Sequence, residues 1–179
     1  MSQAANNYGQ ALFELAKEEN LDTVILEQME VLNVSFSQEP GFLRLLAAPN
    51  LSKTERCDIL DESFRGKVEP YLLNFMKILT EKGYIRHFPE CFKAYRSAYN
   101  ADHGIICVKA VSAVALTAAQ KEKLTQKLEA ITGKTIQLET RLDGKVLGGI
   151  RLDYDGIQVD GTVQSRLDAV ADLLKNTVL

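Results

Sequence analysis

Few side chains in this chain combine a reactive type with a spacing that chemistry needs. The only histidines are His87 and His103. His87 and Cys91 stand four residues apart, so one helix face would hold both and admit an imidazole-activated thiolate. No third residue is placed to orient such an imidazole, and nucleophilic catalysis needs that orientation. His103, beside Gly104, reads as a group at the negative end of a helix. Asp61 and Glu62 are adjacent, so a helix sends their carboxylates in different directions and they serve poorly as an acid and base pair.

Gly144-Lys145 and Gly148-Gly149 invite a phosphate-loop reading, but that loop needs four residues between its glycines and then Gly-Lys-Ser/Thr. The spacing is absent, and a glycine pair that permits a bulge or a close backbone approach in a strand accounts for it. Asp153, Asp155 and Gly156 resemble the start of a calcium loop, yet Ile157 stands where a third oxygen ligand belongs and the glycine comes early. They read as turn residues. Cys57, Cys91 and Cys107 are odd in number, far apart and without CxxC spacing, which fits buried thiols in a reducing compartment. The expectation is a chain with no catalytic residue, no metal and no cofactor. An enzyme using the glycine-rich segment for a phosphorylated ligand is the competing reading.

The composition is that of a folded chain of one or two domains: 179 residues, 46% hydrophobic and 25% charged. A net charge of −3 supplies no positive field for a nucleic-acid backbone. No Lys or Arg precedes Lys17 and no apolar run opens the chain, so neither a secretory signal nor a transit peptide is expected. The most apolar stretch, Ile105 to Leu116, is broken by Lys109 and Ser112 and is too short to cross a bilayer. Membrane association is therefore expected only through partners.

The elements that would position these residues follow from periodicity. Tyr8, Ala11, Leu12, Leu15 and Ala16 recur at helical steps, as do Leu21, Ile25, Met29, Leu32 and Phe36, which predicts two amphipathic helices in a hairpin. Pro40 suits the first turn of a short third helix to Leu46. Ser52 with Glu55 is a capping box that opens a fourth helix, stopped near Gly66. From Pro70 to Lys82 apolar residues cover nearly the whole circumference, which predicts a fifth helix at the centre of a bundle. After Gly83, the stripe Ile85, Phe88, Phe92, Tyr95 and Tyr99 predicts a sixth, closed by Gly104.

At Ile105 the texture turns β-branched, and a domain boundary is placed between 104 and 105. Ile105 to Ser112 predicts a strand, Thr117 with Gln120 caps a helix to Gly133, and Ile136 to Leu142 alternates as a half-buried strand. Asp143-Gly144 predicts a type I′ hairpin turn into a strand with Val146, Ile150 and Leu152. Asp155-Gly156 suggests another turn before Ile157 and Val159. Val163, Leu167, Val170 and Leu174 predict a terminal helix capped by Asp160 or Thr162. The fold class expected is α+β and mainly α: a six-helix N-terminal bundle, residues 1–104, and a small β-α-β-β-β-α domain, residues 105–179.

With chemistry weak, a surface for partners is what remains. Between Gln3 and Phe36 lie Glu14, Glu18, Glu19, Asp22, Glu27 and Glu30 against the single base Lys17. That excess favours a basic or amphipathic helical partner. A freestanding helical adaptor would show the same signal.

Longer motifs are more specific. Tyr8-Gly9-Gln10-Ala11-Leu12-Phe13-Glu14-Leu15-Ala16 resembles the Tyr-Ala-x-Ala-Leu-Phe opening of the delta subunits of bacterial F-type ATP synthases and their mitochondrial relative, the oligomycin-sensitivity-conferring protein. Pro49 with Ser52 to Glu55 is similar to their Pro-x-x-Ser-x-x-Glu step. Asp143-Gly144-Lys145-Val146-Leu147-Gly148-Gly149-Ile150-Arg151, continuing through Asp160-Gly161-Thr162-Val163 to Arg166-Leu167, resembles their C-terminal signature. Gly144 stands where that family often has proline, and Thr162 replaces the usual serine. Gly83-Tyr84-Ile85 replaces Asn-x-Arg.

The resemblance spans nearly the whole chain and implies a non-catalytic stator subunit, present once per complex, at the cytoplasmic face of the cell membrane. It implies that the helical domain grips N-terminal segments of the alpha subunits of the catalytic head between its first and fifth helices. Tyr8, Ala11, Leu12, Phe75 and Leu79 are the implied contacts. It implies that the C-terminal domain meets the b subunits of the peripheral stalk, with Val163, Leu167, Val170 and Leu174 as contacts or as that domain's own core.

Overall fold

The computed structural model describes residues 3–146, 148–154 and 157–161, with Ile157 described by its backbone alone. The chain divides into two compact units, Met1–Tyr99 and Asn100–Leu179, and the division falls inside the sixth helix.

The first unit is helical because its apolar residues repeat at three and four. Helices α1 (Gln3–Glu18) and α2 (Asp22–Gln38) turn at Asn20, a non-glycine residue at φ 57°. Asparagine tolerates this left-handed conformation better than most residues do. The short α3 (Pro40–Leu46) begins at proline, whose missing N–H falls where no intrahelical bond is required. Helix α4 (Lys53–Phe64) opens with the expected capping box: Ser52 N–H donates to Glu55 Oε2 at 2.8 Å, and Glu55 N–H donates to Ser52 Oγ at 3.2 Å. The Ser52 backbone N–H, and secondarily the Ser52 hydroxyl, hold the Glu55 carboxyl below its usual range.

Helix α5 (Pro70–Glu81) buries Leu72, Leu73, Phe75, Met76, Leu79 and Thr80. It is packed on most sides, as its sequence suggests, with Asn74, Ile78 and Glu81 exposed along the remaining one. Asn74 and Glu81 flank Ile78 at helical spacing, so Ile78 is the apolar residue of a polar row. The expected sixth helix also differs: a 3-10 turn at Ile85–His87 precedes α6 (Phe88–Asp102). A continuous helix would need an N–H at Pro89 and would press its ring on the preceding turn, so the chain tightens and restarts.

The core of this unit gathers aromatic rings from several helices. Phe36 meets Phe42, Phe64 and Phe88 with centroids at 5.8, 6.4 and 5.1 Å. Tyr95, fully buried, meets Phe13 edge-on and donates its hydroxyl to Asp22 O at 2.8 Å, so its polar tip is satisfied.

The second unit contains β1 (Ile105–Ser112), α7 (Ala118–Thr132), β2 (Thr135–Leu142), β3 (Ile150–Tyr154) and β4 (Ile157–Asp160). Thr117 and Gln120 form the second capping box, and Gly133 closes α7 at φ 65°. The sheet order is β2-β1-β3-β4, with β1 parallel to β2 and antiparallel to β3.

That order overturns the hairpin expected at Asp143-Gly144, since β2 and β3 lie on opposite sides of β1. Asp143 N–H donates to Ser112 O at 3.0 Å, Lys145 N–H to Asp143 Oδ1 at 3.0 Å and Val146 N–H to Asp143 O at 3.1 Å. The segment is thus a side-chain-assisted turn tied to the end of β1, and Gly144 has no positive φ. The left-handed residues are Gly148 and Gly149, at φ 142° and 85°, immediately before β3. Strand β1 buries Val108, Ala110, Val111 and Ser112, as a central strand should, and it takes the place a hairpin partner would have had.

The cysteines also differ from expectation. Cys91 is buried, whereas Cys57 and Cys107 are half-buried. The Asp155-Gly156 turn and the terminal helix lie outside the described residues.

Candidate partner-binding surface

The groups with catalytic side chains are engaged in structure. His87 lies in the 3-10 turn with Nδ1 3.2 Å from Glu90 Oε1. Burial, aided by the Glu90 charge, pushes the Cys91 thiol up to about 11, so at neutral pH it is a thiol and no nucleophile. Asp61 sits 2.7 Å from Lys77 Nζ and 3.0 Å from Arg65 Nη2. The Lys77 hydrogen bond is the main cause that holds its carboxyl below the usual range. His103 Nδ1 lies 3.8 Å from Asp102 Oδ2. Asp153 lies 3.5 Å from Arg151 Nε, a strand ion pair. Among the described residues no group of three His, Cys, Asp or Glu side chains could hold a metal ion.

A candidate partner surface is better defined. Helices α1 and α5 pack against each other. Glu19 raises the Tyr71 hydroxyl's pKa, chiefly by its charge and also by a hydrogen bond, so the end of α1 lies beside the start of α5. At the other end the Tyr8 and Tyr84 rings tilt together at 6.0 Å. The two helices therefore run antiparallel, and their outer sides form one strip.

Of the residues implied by resemblance, Ala11 is exposed and Tyr8 half-buried, so both reach this strip. Leu12, Phe75 and Leu79 are 3%, 6% and 0% exposed and belong to the core. The sequence reading did not single out the exposed apolar side chains beside them: Leu15 at 38%, Ile78 at 45% and Tyr84 at 37%. Leu15 and Ile78 were legible in principle. Leu15 follows Ala11 by four, and Ile78 sits on the polar row of α5, whereas Tyr84 needed the fold to bring it to Tyr8. Val163, Leu167, Val170 and Leu174 lie outside the described residues.

No helix among the described residues is long and apolar enough to cross a membrane. Residues 4–174 match the family model for the ATP synthase delta (OSCP) subunit. The ATP synthase subunit delta of Clostridioides difficile is 30% identical over 97% of both chains. That of Lacticaseibacillus casei is 30% identical over 92% of this chain and 91% of its own. A chain in the structure of the Toxoplasma gondii mitochondrial ATP synthase hexamer superposes with a TM-score of 0.76 over 97% of this chain and 98% of its own, at 19% identity, a likeness of fold. On its near full-length match, the chain belongs to the ATP synthase delta (OSCP) subunit family.

Proposed function

We propose that this non-catalytic stator subunit of an F-type ATP synthase holds the catalytic head through the strip between α1 and α5 and meets the b subunits of the peripheral stalk through its C-terminal domain. Residues 1–104 would take N-terminal segments of the alpha subunits; Val163, Leu167, Val170 and Leu174, within 105–179, would serve the stalk. One copy per complex, on the cytoplasmic face of the membrane, completes the reading. The role is mechanical: the subunit opposes rotation of the head while the rotor turns.

The observation that carries the head contact is the exposure of Leu15, Ile78 and Tyr84 beside Tyr8 and Ala11 on two packed antiparallel helices. An amphipathic helix laid along such a strip buries its apolar face. About four Leu-class side chains contribute roughly 6 to 12 kcal/mol gross, against an association cost of ~4 to 15 kcal/mol. Polar contacts must therefore add to the apolar ones, and Glu18 and Glu19 at the end of α1 can supply them.

The test is binding of a synthetic alpha-subunit N-terminal peptide to the full chain. Ile78→Asp and Leu15→Asp each weaken it at least tenfold while circular dichroism is unchanged; unaltered affinity in both would contradict the strip. Leu12, Phe75 and Leu79 are unsuitable for this test, because their substitution acts through the core.

A further inference from the structure

Helix α2 presents a second apolar face to solvent, carried by a different helix from the α1/α5 strip. Its core row is Ile25, Met29, Leu32 and Phe36, all buried. Val24, Val31 and Val34 are 39%, 66% and 48% exposed. At about 100° per residue the three valines fall within an arc of roughly 80°, centred about 150° from the core row. They are thus turned away from the bundle and do not form the rim of its core.

Helix formation does not explain them. Valine loses side-chain freedom in a helix and ranks below Ala, Leu, Glu or Lys at an exposed position. A solvated face usually mixes charges of both signs, whereas α2 contains Asp22, Glu27 and Glu30 and neither Lys nor Arg. Glu27 stands within the valine arc, three residues after Val24 and four before Val31, and Glu30 borders it. Both are exposed.

We infer that the Val24-Glu27-Val31-Val34 face of α2 is a second docking site, and that it takes a basic amphipathic helix. The valines meet the partner's apolar stripe, and Glu27 and Glu30 meet Lys or Arg on its flanks. The row runs about 15 Å, the length of roughly three helical turns, which a short terminal segment can match. The acid-only charge argues against other occupants. Anionic lipid would be repelled, since surface-binding helices carry Lys and Arg on their polar face. A second copy would bring acid against acid.

The test uses the full chain, labelled with nitrogen-15, and a synthetic helical peptide of about 15 residues with leucines on one face and lysines on its flanks. Saturable amide shifts at Val24, Glu27, Val31 and Val34 are expected. Val31→Asp weakens this binding at least tenfold and Glu27→Gln several-fold, while a peptide with glutamates in place of lysines does not bind. Val31→Ser replaces Val31→Asp if circular dichroism shows lost helicity. Shifts confined to α1 and α5, equal affinity in the Val31 variant, equal binding of the acidic peptide, or Val31-dependent binding to phosphatidylglycerol vesicles instead would each overturn the inference.

Discussion

Gly9 has no side chain at the point where α1 crosses α6. A Cβ there would run into the carbonyl oxygen of Cys91 and lie 2.7 Å from Ala94 Cβ and 3.1 Å from Tyr95 N. The two helices approach this closely because nothing intervenes, and Phe13 can then meet Tyr95. Gly9→Val should therefore destabilise the chain by about 1 to 3 kcal/mol through overpacking, read as a lower midpoint in urea unfolding. In the sequence Gly9 is merely one small residue of a helical stripe. Which neighbour it faces depends on a helix some eighty residues away, so this contact was not legible.

Cys91 gives a pH-dependent expectation. Its thiol is held up to about 11 in the folded chain, while an unfolded cysteine titrates at about 8.5. Between these values the unfolded chain releases a proton that the folded one keeps. Stability from this group is complete below the lower value and is lost as pH rises through the higher one. Unfolding measured from pH 8 to 11 should show this decline, and Cys91→Ala should reduce it, leaving the part due to the Cys57 thiol and the Tyr95 hydroxyl, which burial also raises. In the folded protein near pH 8, iodoacetamide should modify the half-buried Cys57 and Cys107 before Cys91, as mass spectrometry can show.

At the scale of elements, the most legible features are those whose cause is local. Ser52 with Glu55 and Thr117 with Gln120 are capping boxes in sequence and in structure, because each satisfies helix-end donors within four residues. Thr117→Ala should cost about 1 kcal/mol, seen as a lower unfolding midpoint. Pro40, Gly83, Gly104 and Gly133 likewise mark ends for local reasons. The turn at Asp143 misled because pairing is not local. An Asp-Gly pair favours a tight turn, but the neighbour that β3 takes is decided by β1, whose buried residues can be covered on both sides. Gly149 at φ 85° should be sensitive for the same reason. Gly149→Ala forces a side chain into a left-handed backbone and should lower the midpoint by a similar amount, whereas Gly144→Ala should not.

At the scale of the whole molecule, the chain is a stator component of an F-type ATP synthase, folded as two compact units. The order of six helices before a mixed sheet was legible from periodicity, and the family from the motifs at Tyr8 to Ala16 and Asp143 to Arg151. The proposed strip was legible only in part. Resemblance points to α1 and α5, but three of the residues it implies, Leu12, Phe75 and Leu79, are buried in the core, whereas Leu15 and Ile78 beside them are exposed. The most direct measurement of the central claim is binding of the purified chain to the isolated catalytic head, with and without the N-terminal segments of the alpha subunits. Binding that is present with the segments and lost without them is predicted; equal binding to both heads, or none to a correctly folded head, would contradict the account.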